Sequence, residues 1–207
     1  MVYPIARKTT FPFVRLFIKS IEGLDNIPVD QPCVVASNHL GLLDSVFVGV
    51  PIVIKTKRRL RFLVDPKYKY WRYLGRFTKH WTNAIAIDHD NIQPFFEKVK
   101  KHIIQGDHIG IFPEGEVSRK PHLLKPKTGM IQIAKSTKAP IIPVGIHKTK
   151  LPIWKAVLFR LISPEGITIR IGSPITIPAD TPREQYQVLA DQVMEKISQL
   201  SGIPFPY

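Results

Sequence analysis

The sequence predicts an α/β fold: a single domain with a mostly parallel mixed sheet flanked by helices, and an N-terminal amphipathic helix. Three observations predict this fold. Short apolar runs alternate with stretches of helical periodicity, and no repeat, low-complexity tract or linker divides the chain. A chain of 207 residues, 44% of them apolar and 22% charged, is also long enough and apolar enough to bury one sizeable core.

The first predicted element is a basic amphipathic helix. Its apolar residues recur at helical spacing and share one face, and two cations lie off that face. The apolar positions are Val14, Phe17, Ile18 and Ile21, and the cations are Arg15 and Lys19. Such a helix lies either on a membrane surface or on the core of its own domain. We therefore divide the chain into an N-terminal basic amphipathic segment, residues 1–22, and a domain, residues 23–207.

Apolar runs bounded by turn residues predict the strands. These runs span residues 33–37, 60–65, 83–90, 108–113 and 139–147, and residues 166–178 form a late strand pair or an edge. Helices are predicted between and after them, at residues 91–105, 128–137 and 181–200. For the last helix we predict a capping box with Thr181 as the cap, Pro182 at the first position and Glu184 closing it. Gly202 is predicted to end that helix.

The charge balance is strongly basic, since 30 Lys and Arg residues against 16 Asp and Glu give a net charge of +14. This surplus implies an anionic partner: nucleic acid, an anionic membrane face or a small phosphorylated substrate. No run approaches the roughly 18 apolar residues of a transmembrane helix, and we find no signal peptide. The single Cys33 is expected to be a buried, inert thiol and favours a reducing compartment.

Two His-Asp pairs share one spacing, and only their positions in the predicted fold separate them. His39 and Asp44 directly follow the strand at 33–37, whereas His102 lies inside a helix and Asp107 precedes the next strand. Ligands of α/β sheets bind at the carboxyl ends of the strands. The first pair is therefore the candidate site, and we interpret the second as solvated residues flanking a helix end at the opposite edge.

A histidine held by a carboxylate is suited to general base catalysis, because the carboxylate fixes the tautomer and stabilises the imidazolium. No G-x-S-x-G elbow is present and Cys33 lies within a strand, so a covalent intermediate is not indicated, although Ser37 stays a minor alternative. The nucleophile is then a substrate hydroxyl deprotonated by His39. No further His or Cys cluster has the spacing of metal ligands, so no metal site is predicted.

The stretch Phe112-Pro113-Glu114-Gly115 follows another buried strand, which places Glu114 at the same edge of the sheet as His39. A second Pro-Glu-Gly, at residues 164–166, precedes a strand and is interpreted as a turn. Position, not the tripeptide itself, makes the first copy a candidate.

These motifs resemble those of the glycerolipid acyltransferases typified by lysophosphatidic acid acyltransferase. The first and third blocks of that family are similar to "NHLGLLD" (38–44) and "FPEGEVSR" (112–119). The second and fourth are similar to "NAIAIDHD" (83–90) and "APIIPVGI" (139–146), and "LLKPKTGMIQIAK" (123–135) resembles the basic link between the third and the fourth. The resemblance covers roughly residues 20–150 and includes the order and separation of the blocks.

The resemblance implies a fatty acyl transfer from acyl-CoA or acyl carrier protein to the hydroxyl of a lysophospholipid, with 1-acylglycerol 3-phosphate expected as the acceptor. His39 would deprotonate that hydroxyl, Asp44 would orient His39, and no covalent acyl-enzyme is expected. Glu114 and Gly115 would help to place the acceptor. No metal or bound cofactor is expected beside the co-substrate.

Two departures from the family pattern concern the acceptor. The arginine that usually ends the second block is His89 here, and the arginine of the third block is Val117, with Arg119 two positions on. One expectation is that Arg119, Lys125 and Lys127 bind the phosphate instead, the lysines being otherwise part of a solvated basic face, with His89 as a further candidate or a surface residue. Alternatively the acceptor is glycerol 3-phosphate, a sugar-containing lipid or an amino-acid lipid.

The basic surplus is expected to attract an anionic membrane surface or acyl carrier protein. Candidate contact surfaces are the cluster "KTKRRLR" (55–61), otherwise a solvated loop, and residues 151–163, otherwise a core or dimer-packing helix. We expect a cytoplasmic protein, peripheral on the membrane and without a transmembrane helix. A basic nucleic-acid-binding module is the rival from another class; no helix-turn-helix or zinc pattern supports it, and no nucleic-acid partner is expected.

Overall fold

The computed structural model describes residues 10–41, 43–67, 84–147 and 166–207. Its strands are β1 (Ile18–Glu22), β2 (Val34–Ser37), β3 (Leu60–Val64), β4 (Ile85–Ala86), β5 (His108–Ile111), β6 (Ile141–His147) and β7 (Ile167–Ile171). Its helices are α1 (Thr10–Arg15), α2 (Asp44–Thr56), α3 (Ile92–Ile104), α4 (Gly129–Thr137) and α5 (Tyr186–Ser201).

The strands form one seven-stranded sheet in the order β1-β7-β6-β2-β5-β3-β4. Only β6 and β7 pair antiparallel among these strands, and every other neighbouring pair is parallel. The prediction of a single α/β domain with a mostly parallel mixed sheet is confirmed. Because β2 to β6 all run in one direction, the loops that follow them meet at one edge, called here the carboxyl edge of the sheet.

Helices cover both faces of the sheet. α3, α4 and α5 pack on one face through an apolar cluster that includes Val99, Ile133 and Ile197. α1 and α2 pack on the other face through a cluster that includes Val14 and Phe47. The central strand β2 is buried on both faces, which explains why it is a continuous apolar run without alternation.

The prediction of one helix through Val14–Ile21 is wrong in its second half. α1 ends at Arg15, and Ile18–Glu22 form β1, a strand parallel to β7. The register of β1 shifts between Ile18 and Ser20, and this irregularity lets Ile18 and Ile21 pack into one apolar cluster. The bulge thus lets two apolar residues three positions apart pack on the same side of the strand, a spacing that is typical of a helix. The predicted boundary at residue 22, between an N-terminal segment and the domain, stays a prediction. Residues 1–9 of that segment lie outside the described ranges.

Other element boundaries differ in detail. α3 and the end of α5 agree with prediction, with Gly106 at φ +88° and Gly202 at φ +72° after the two helices. The predicted capping box is wrong: a 3-10 turn, Arg183–Gln185, precedes α5, and neither Pro182 nor Gln185 makes a side-chain cap. β4 is only two residues long, and β7 is not an edge because β1 lies outside it. None of the described helices is both long and apolar enough to cross a membrane.

The basic cluster at 55–61 lies at the opposite, amino-terminal edge of the sheet, and much of it is used internally. Lys55 pairs with the carboxylate of Asp25. Arg58 donates to the carbonyls of Val29, Asp30 and Gly106, and Arg61 pairs with the buried carboxylate of Asp107 at 2.5 Å. Three of the five cations therefore hold neighbouring loops. The other candidate contact surface, 151–163, lies outside the described residues.

The thiol of Cys33 is buried, as predicted, against the ring of His108. Burial raises the pKa of the Cys33 thiol to about 12, so the thiol stays protonated. The His108 Nδ1 atom accepts the backbone N–H of Cys33 at 3.1 Å. Burial, followed by the charge of Arg58, lowers the pKa of His108 to about 4, so its ring is neutral at pH 7.

The buried His108 predicts acid destabilisation of the fold. The unfolded chain binds a proton at this residue below its ordinary pKa of 6.5, whereas the folded protein binds it only near pH 4. The free energy of unfolding therefore falls as the pH decreases from 6.5 to 4, by about 3 kcal/mol from this residue. His108→Asn keeps an acceptor for the Cys33 N–H but does not titrate. Urea unfolding of both proteins across this range should show a flatter pH profile for the variant, and identical profiles would contradict the assignment.

Candidate active site

The His39–Asp44 pair lies at the carboxyl edge, directly after β2. Asp44 is the first residue of α2, and its carboxylate is fully buried. Its Oδ2 atom accepts the backbone N–H groups of Leu40, at 2.5 Å, and Gly41, at 2.7 Å, and lies 3.1 Å from His39 Nδ1. Because a carboxylate only accepts, the His39 proton is assigned to Nδ1. No group among the described residues bonds to Nε2, and this nitrogen is left to accept a proton.

A stack of aromatic rings fixes the plane of His39. Its ring lies on Phe112, with centroids 4.0 Å apart and an interplanar angle of 9°. Phe112 in turn stacks on Phe62, at 5.2 Å and 18°. Phe62 pairs with Gly110 in the sheet, and a Cβ atom at Gly110 would come within 2.6 Å of the Phe62 ring. The glycine therefore leaves the space that this stack occupies.

Glu114 ties the loop after β5 to the loop after β2. It is 4% exposed, and its two carboxylate oxygens accept the N–H of His39 at 2.8 Å and that of Leu124 at 2.9 Å. Burial raises the pKa of Glu114, and the two backbone N–H groups oppose that effect. The prediction that Glu114 lies near His39 is confirmed. Its observed contacts position the backbone of His39, and the predicted contact with an acceptor stays a prediction.

Asn38 was missed as a positioning residue. Its buried side chain accepts the N–H of Ile146 at 2.7 Å and donates to the carbonyl of the same residue at 3.0 Å. The ladder between β2 and β6 has its last backbone pair at Ser37 and Val144, so the Asn38 amide extends this pairing by side chain. The residue just before His39 is thereby fixed. The sequence shows an amide after a strand but not its partner.

A pocket of about 440 Å³ opens beside Glu114. Its walls are Asp65, Lys67, Glu114, Gly115, Glu116 and Lys127. Gly115 has φ +76°, a conformation that favours glycine, and a Cβ atom there would come within 2.7 Å of Lys127 Cε. The N–H of Lys127 donates to the carbonyl of Pro113 at 2.8 Å. Three predicted acceptor-binding residues, Glu114, Gly115 and Lys127, therefore meet at this pocket.

The other predicted acceptor-binding residues lie away from the pocket walls. Arg119 and Lys125 are exposed. His89 is also exposed, and its Nε2 atom lies 2.9 Å from a carboxylate oxygen of Asp65, which does line the pocket. Burial acts to raise the pKa of Asp65, but the N–H of Lys67 and the His89 ring outweigh it, so the net pKa is lowered. Lys67 was missed, although its place just after β3 was the available signal.

The second His-Asp pair occupies the opposite edge, as predicted, but it is not solvated as predicted. Asp107 is buried, and it contacts Arg61 at 2.5 Å and His102 Nδ1 at 3.4 Å. Arg61 comes from β3, the neighbour of β5, so only the sheet pairing brings this cation to Asp107. Within the described ranges no group of three or more His, Cys, Asp or Glu side chains is arranged to hold a metal ion.

Comparison with known proteins adds to this geometry. The family model described as "Acyltransferase" matches residues 19–147. The chain is 29% identical over 122 residues to a 1-acyl-sn-glycerol-3-phosphate acyltransferase of Bacillus subtilis, covering 58% of each chain. It is 26% identical over 183 residues to the alpha form of that enzyme from Mus musculus, covering 84% of this chain and 60% of the relative. The chain thus spans less than two thirds of the length of these relatives.

Among solved structures, the crystal structure of the 1-acyl-sn-glycerophosphate (LPA) acyltransferase PlsC of Thermotoga maritima is similar in fold. The TM-score is 0.59 at 19% sequence identity, and the match covers 94% of this chain and 76% of that one. The shared fold extends through most of the described sheet.

Glu114→Gln tests whether the carboxylate holds the two loops. The amide nitrogen of glutamine would face one of the two backbone N–H groups, so a buried donor loses its acceptor. We expect the free energy of unfolding to fall by roughly 1–3 kcal/mol. Glu116→Gln, two residues along on an exposed side chain, should change it by less than about 0.5 kcal/mol. Equal stability of the two variants in urea unfolding would rule out the bridging role.

Proposed function

Because the chain belongs to the acyltransferase family, we propose that it transfers a fatty acyl group from a thioester donor to the hydroxyl of a lysophospholipid, with 1-acylglycerol 3-phosphate as the acceptor. The observation that carries this proposal is the His39–Asp44 pair, held at the carboxyl edge with Nδ1 engaged and Nε2 open. The relatives named 1-acyl-sn-glycerol-3-phosphate acyltransferases support the acceptor class.

In the proposed reaction His39 Nε2 takes the proton of the acceptor hydroxyl as the oxygen attacks the thioester carbonyl. Asp44, 3.1 Å from Nδ1, stabilises the imidazolium that forms. The new C–O ester bond forms, the C–S bond breaks, and the imidazolium returns its proton to the leaving thiolate. The substrate supplies the nucleophile, so no covalent acyl-enzyme is required. The donor is acyl-CoA or acyl carrier protein, and no metal or bound cofactor takes part in this scheme.

We assign the acceptor phosphate to the pocket beside Glu114, where Lys67 and Lys127 provide the positive charge. Lysine binds phosphate as a point charge and can replace arginine without the bidentate geometry. The missing Cβ of Gly115 leaves room for the Lys127 side chain. Arg119 and Lys125 would reach the acceptor only from outside the pocket walls, and His89 would act through Asp65.

A second acceptor class is supported by the mixed charge of the pocket. Asp65, Glu114 and Glu116 line it together with the two lysines. Three carboxylates oppose a phosphate that carries about −1.5 to −2 charges, but they suit an acceptor that carries an amine as well as an anionic group. An amino-acid lipid with a free hydroxyl has this chemistry. Glycerol 3-phosphate and a sugar-containing lipid remain further alternatives from the sequence.

For the cellular setting we propose a cytoplasmic protein that works on an anionic membrane surface, where lysophospholipids reside. The lone reduced Cys33 and the net charge of +14 support this setting. The same electrostatic attraction would bring an acidic acyl carrier protein to the chain as the donor partner.

His39→Ala is expected to abolish acyl transfer, because a general base contributes about 10²–10⁴-fold to a rate. The chain offers a matched control in His102→Ala, which removes the histidine of the other pair with the same spacing to an aspartate. Transfer of a radiolabelled acyl group from acyl-CoA to 1-acylglycerol 3-phosphate measures both. Circular dichroism should show both variants folded. Full turnover by His39→Ala would refute the proposed mechanism.

Lys67→Ala and Lys127→Ala are each expected to raise the KM for 1-acylglycerol 3-phosphate by about tenfold, since a charge-assisted hydrogen bond contributes roughly 1.5 kcal/mol. The KM for the acyl donor should not change. Lys101→Ala serves as the control, because this exposed lysine in the last turn of α3 is outside the pocket walls and at the opposite edge of the sheet. Measured side by side, an amino-acid lipid that is acylated faster than 1-acylglycerol 3-phosphate would establish the second acceptor class instead.

A further inference from the structure

The loop between β5 and α4 carries a concentrated positive surface. Residues 118–127, called here the basic loop, include four exposed cations: Arg119, Lys120, Lys125 and Lys127. No carboxylate of the described residues forms an ion pair with any of them. Lys127 also lines the pocket with Asp65 and Glu116, so the other three cations make this loop a candidate contact surface for an anionic partner.

Backbone contacts attach the basic loop to the carboxyl edge of the sheet. Three of its N–H groups bond to residues that follow β2 and β5: Ser118 to the carbonyl of His39 at 2.8 Å, Leu124 to Glu114 at 2.9 Å, and Lys127 to the carbonyl of Pro113 at 2.8 Å. The loop therefore lies beside His39, and its position depends on the same residues that orient the candidate base.

The inner side of the basic loop is anchored in the core. Leu123 is fully buried, and its N–H donates to the carbonyl of Pro204 at 2.9 Å. The hydroxyl of Ser118 donates to the carbonyl of His122 at 3.1 Å. Apolar and backbone groups thus face the protein while the cationic side chains are exposed, so the charged surface is ordered before a partner arrives.

The opposite edge of the sheet differs in this respect. Of the cations at 55–61, Lys55, Arg58 and Arg61 bond within the chain, and Lys57 and Arg59 are exposed. The cluster that is most basic in sequence is therefore not the strongest candidate for an external partner. The basic loop keeps its charge available and lies at the edge where the acceptor must bind.

We propose that the basic loop docks the protein on the anionic surface of a lipid bilayer, with the carboxyl edge of the sheet facing the headgroups. Each lysine or arginine near such a surface strengthens partitioning severalfold, and the attraction falls off within a Debye length. The side chain of His39 is 18% exposed at this edge. A lysophospholipid would then present its hydroxyl, which lies next to the headgroup, without leaving the bilayer surface. This advantage for acyl transfer rests on the proposed function, whereas docking on the bilayer does not.

The test is co-sedimentation with phosphatidylcholine vesicles that contain or lack phosphatidylglycerol, without acyl donor. The loop variant is Arg119→Gln/Lys120→Gln/Lys125→Gln. The control, Lys57→Gln/Arg59→Gln/Lys101→Gln, removes the same number of charges from exposed side chains at the opposite edge. We expect the loop variant to bind anionic vesicles more weakly by on the order of 100-fold and the control by less than about threefold. Binding by the unaltered protein should weaken as salt increases and should be minimal without phosphatidylglycerol.

Three results would overturn the proposal: equal losses in the two triple variants, unchanged binding in the loop variant, or equal binding of the unaltered protein to both kinds of vesicle. If the loop variant loses binding to purified acyl carrier protein while its vesicle binding stays intact, the loop is assigned to a protein partner and the proposal is overturned too.

If the loop variant does not fold, the single variants Lys120→Glu and Arg59→Glu replace the two triple variants. His39→Ala separates the docking proposal from the proposed function, because this variant should lose acyl transfer and still bind vesicles. If the unaltered protein docks on vesicles but shows no acyl transfer, only the proposed function is refuted.

Discussion

The hydrogen bonds of the buried Glu114 carboxylate are the interactions on which the loops at the carboxyl edge depend. A carboxylate in a buried position is costly unless its oxygens are hydrogen-bonded, and here the two oxygens accept N–H groups from two different loops. One is the loop of His39, and the other is the basic loop. Because the penalty is met only when both loops are in place, their positions are coupled. The raised pKa of Glu114 has the same origin, since burial opposes ionisation.

The orientation of His39 follows from that coupling. Its backbone is held on both sides, by Glu114 at the N–H and by Ser118 at the carbonyl. Its ring is held by Asp44 at one edge and by Phe112 on one face. A ring constrained in these ways has lost much of its rotational freedom before substrate binds, and such preorganisation lowers the cost of reaching a reactive geometry. The aromatic stack in turn requires the small Gly110, so a residue inside the sheet affects the orientation of the His39 ring.

Which features of the fold and of the candidate site could be predicted depends on how far apart in the sequence the interacting residues are. Apolar runs predicted the buried strands because these strands are covered on both faces. The order of the elements predicted that His39 and Asp44 lie at the carboxyl edge, and the rule that ligands bind there keeps them as a predicted site. β1 was mistaken for helix because its bulge reproduces helical spacing. Asn38 and Asp107 were misjudged for another reason: their partners, Ile146 and Arg61, are brought to them by sheet pairing between distant segments. Periodicity carries no information about such contacts. Lys67 is a third case, because the sequence does show that it follows a strand end, and this position could have predicted it as a site residue.

The role of the net charge of +14 depends on where the charged residues lie in the fold. At the amino-terminal edge arginines bind carbonyls and a buried carboxylate, and there the charge stabilises loops. On the basic loop the cations are exposed and available to an external anion. The pocket is lined by two lysines and by three carboxylates, those of Asp65, Glu114 and Glu116, so its local charge is far less positive than that of the basic loop. Attraction to an anionic surface and choice of acceptor are therefore separate physical problems for this chain. The exposed loop, whose attraction acts over a Debye length, suits the first. For the second, the proposed acceptor pocket offers short-range contacts from carboxylates and lysines together.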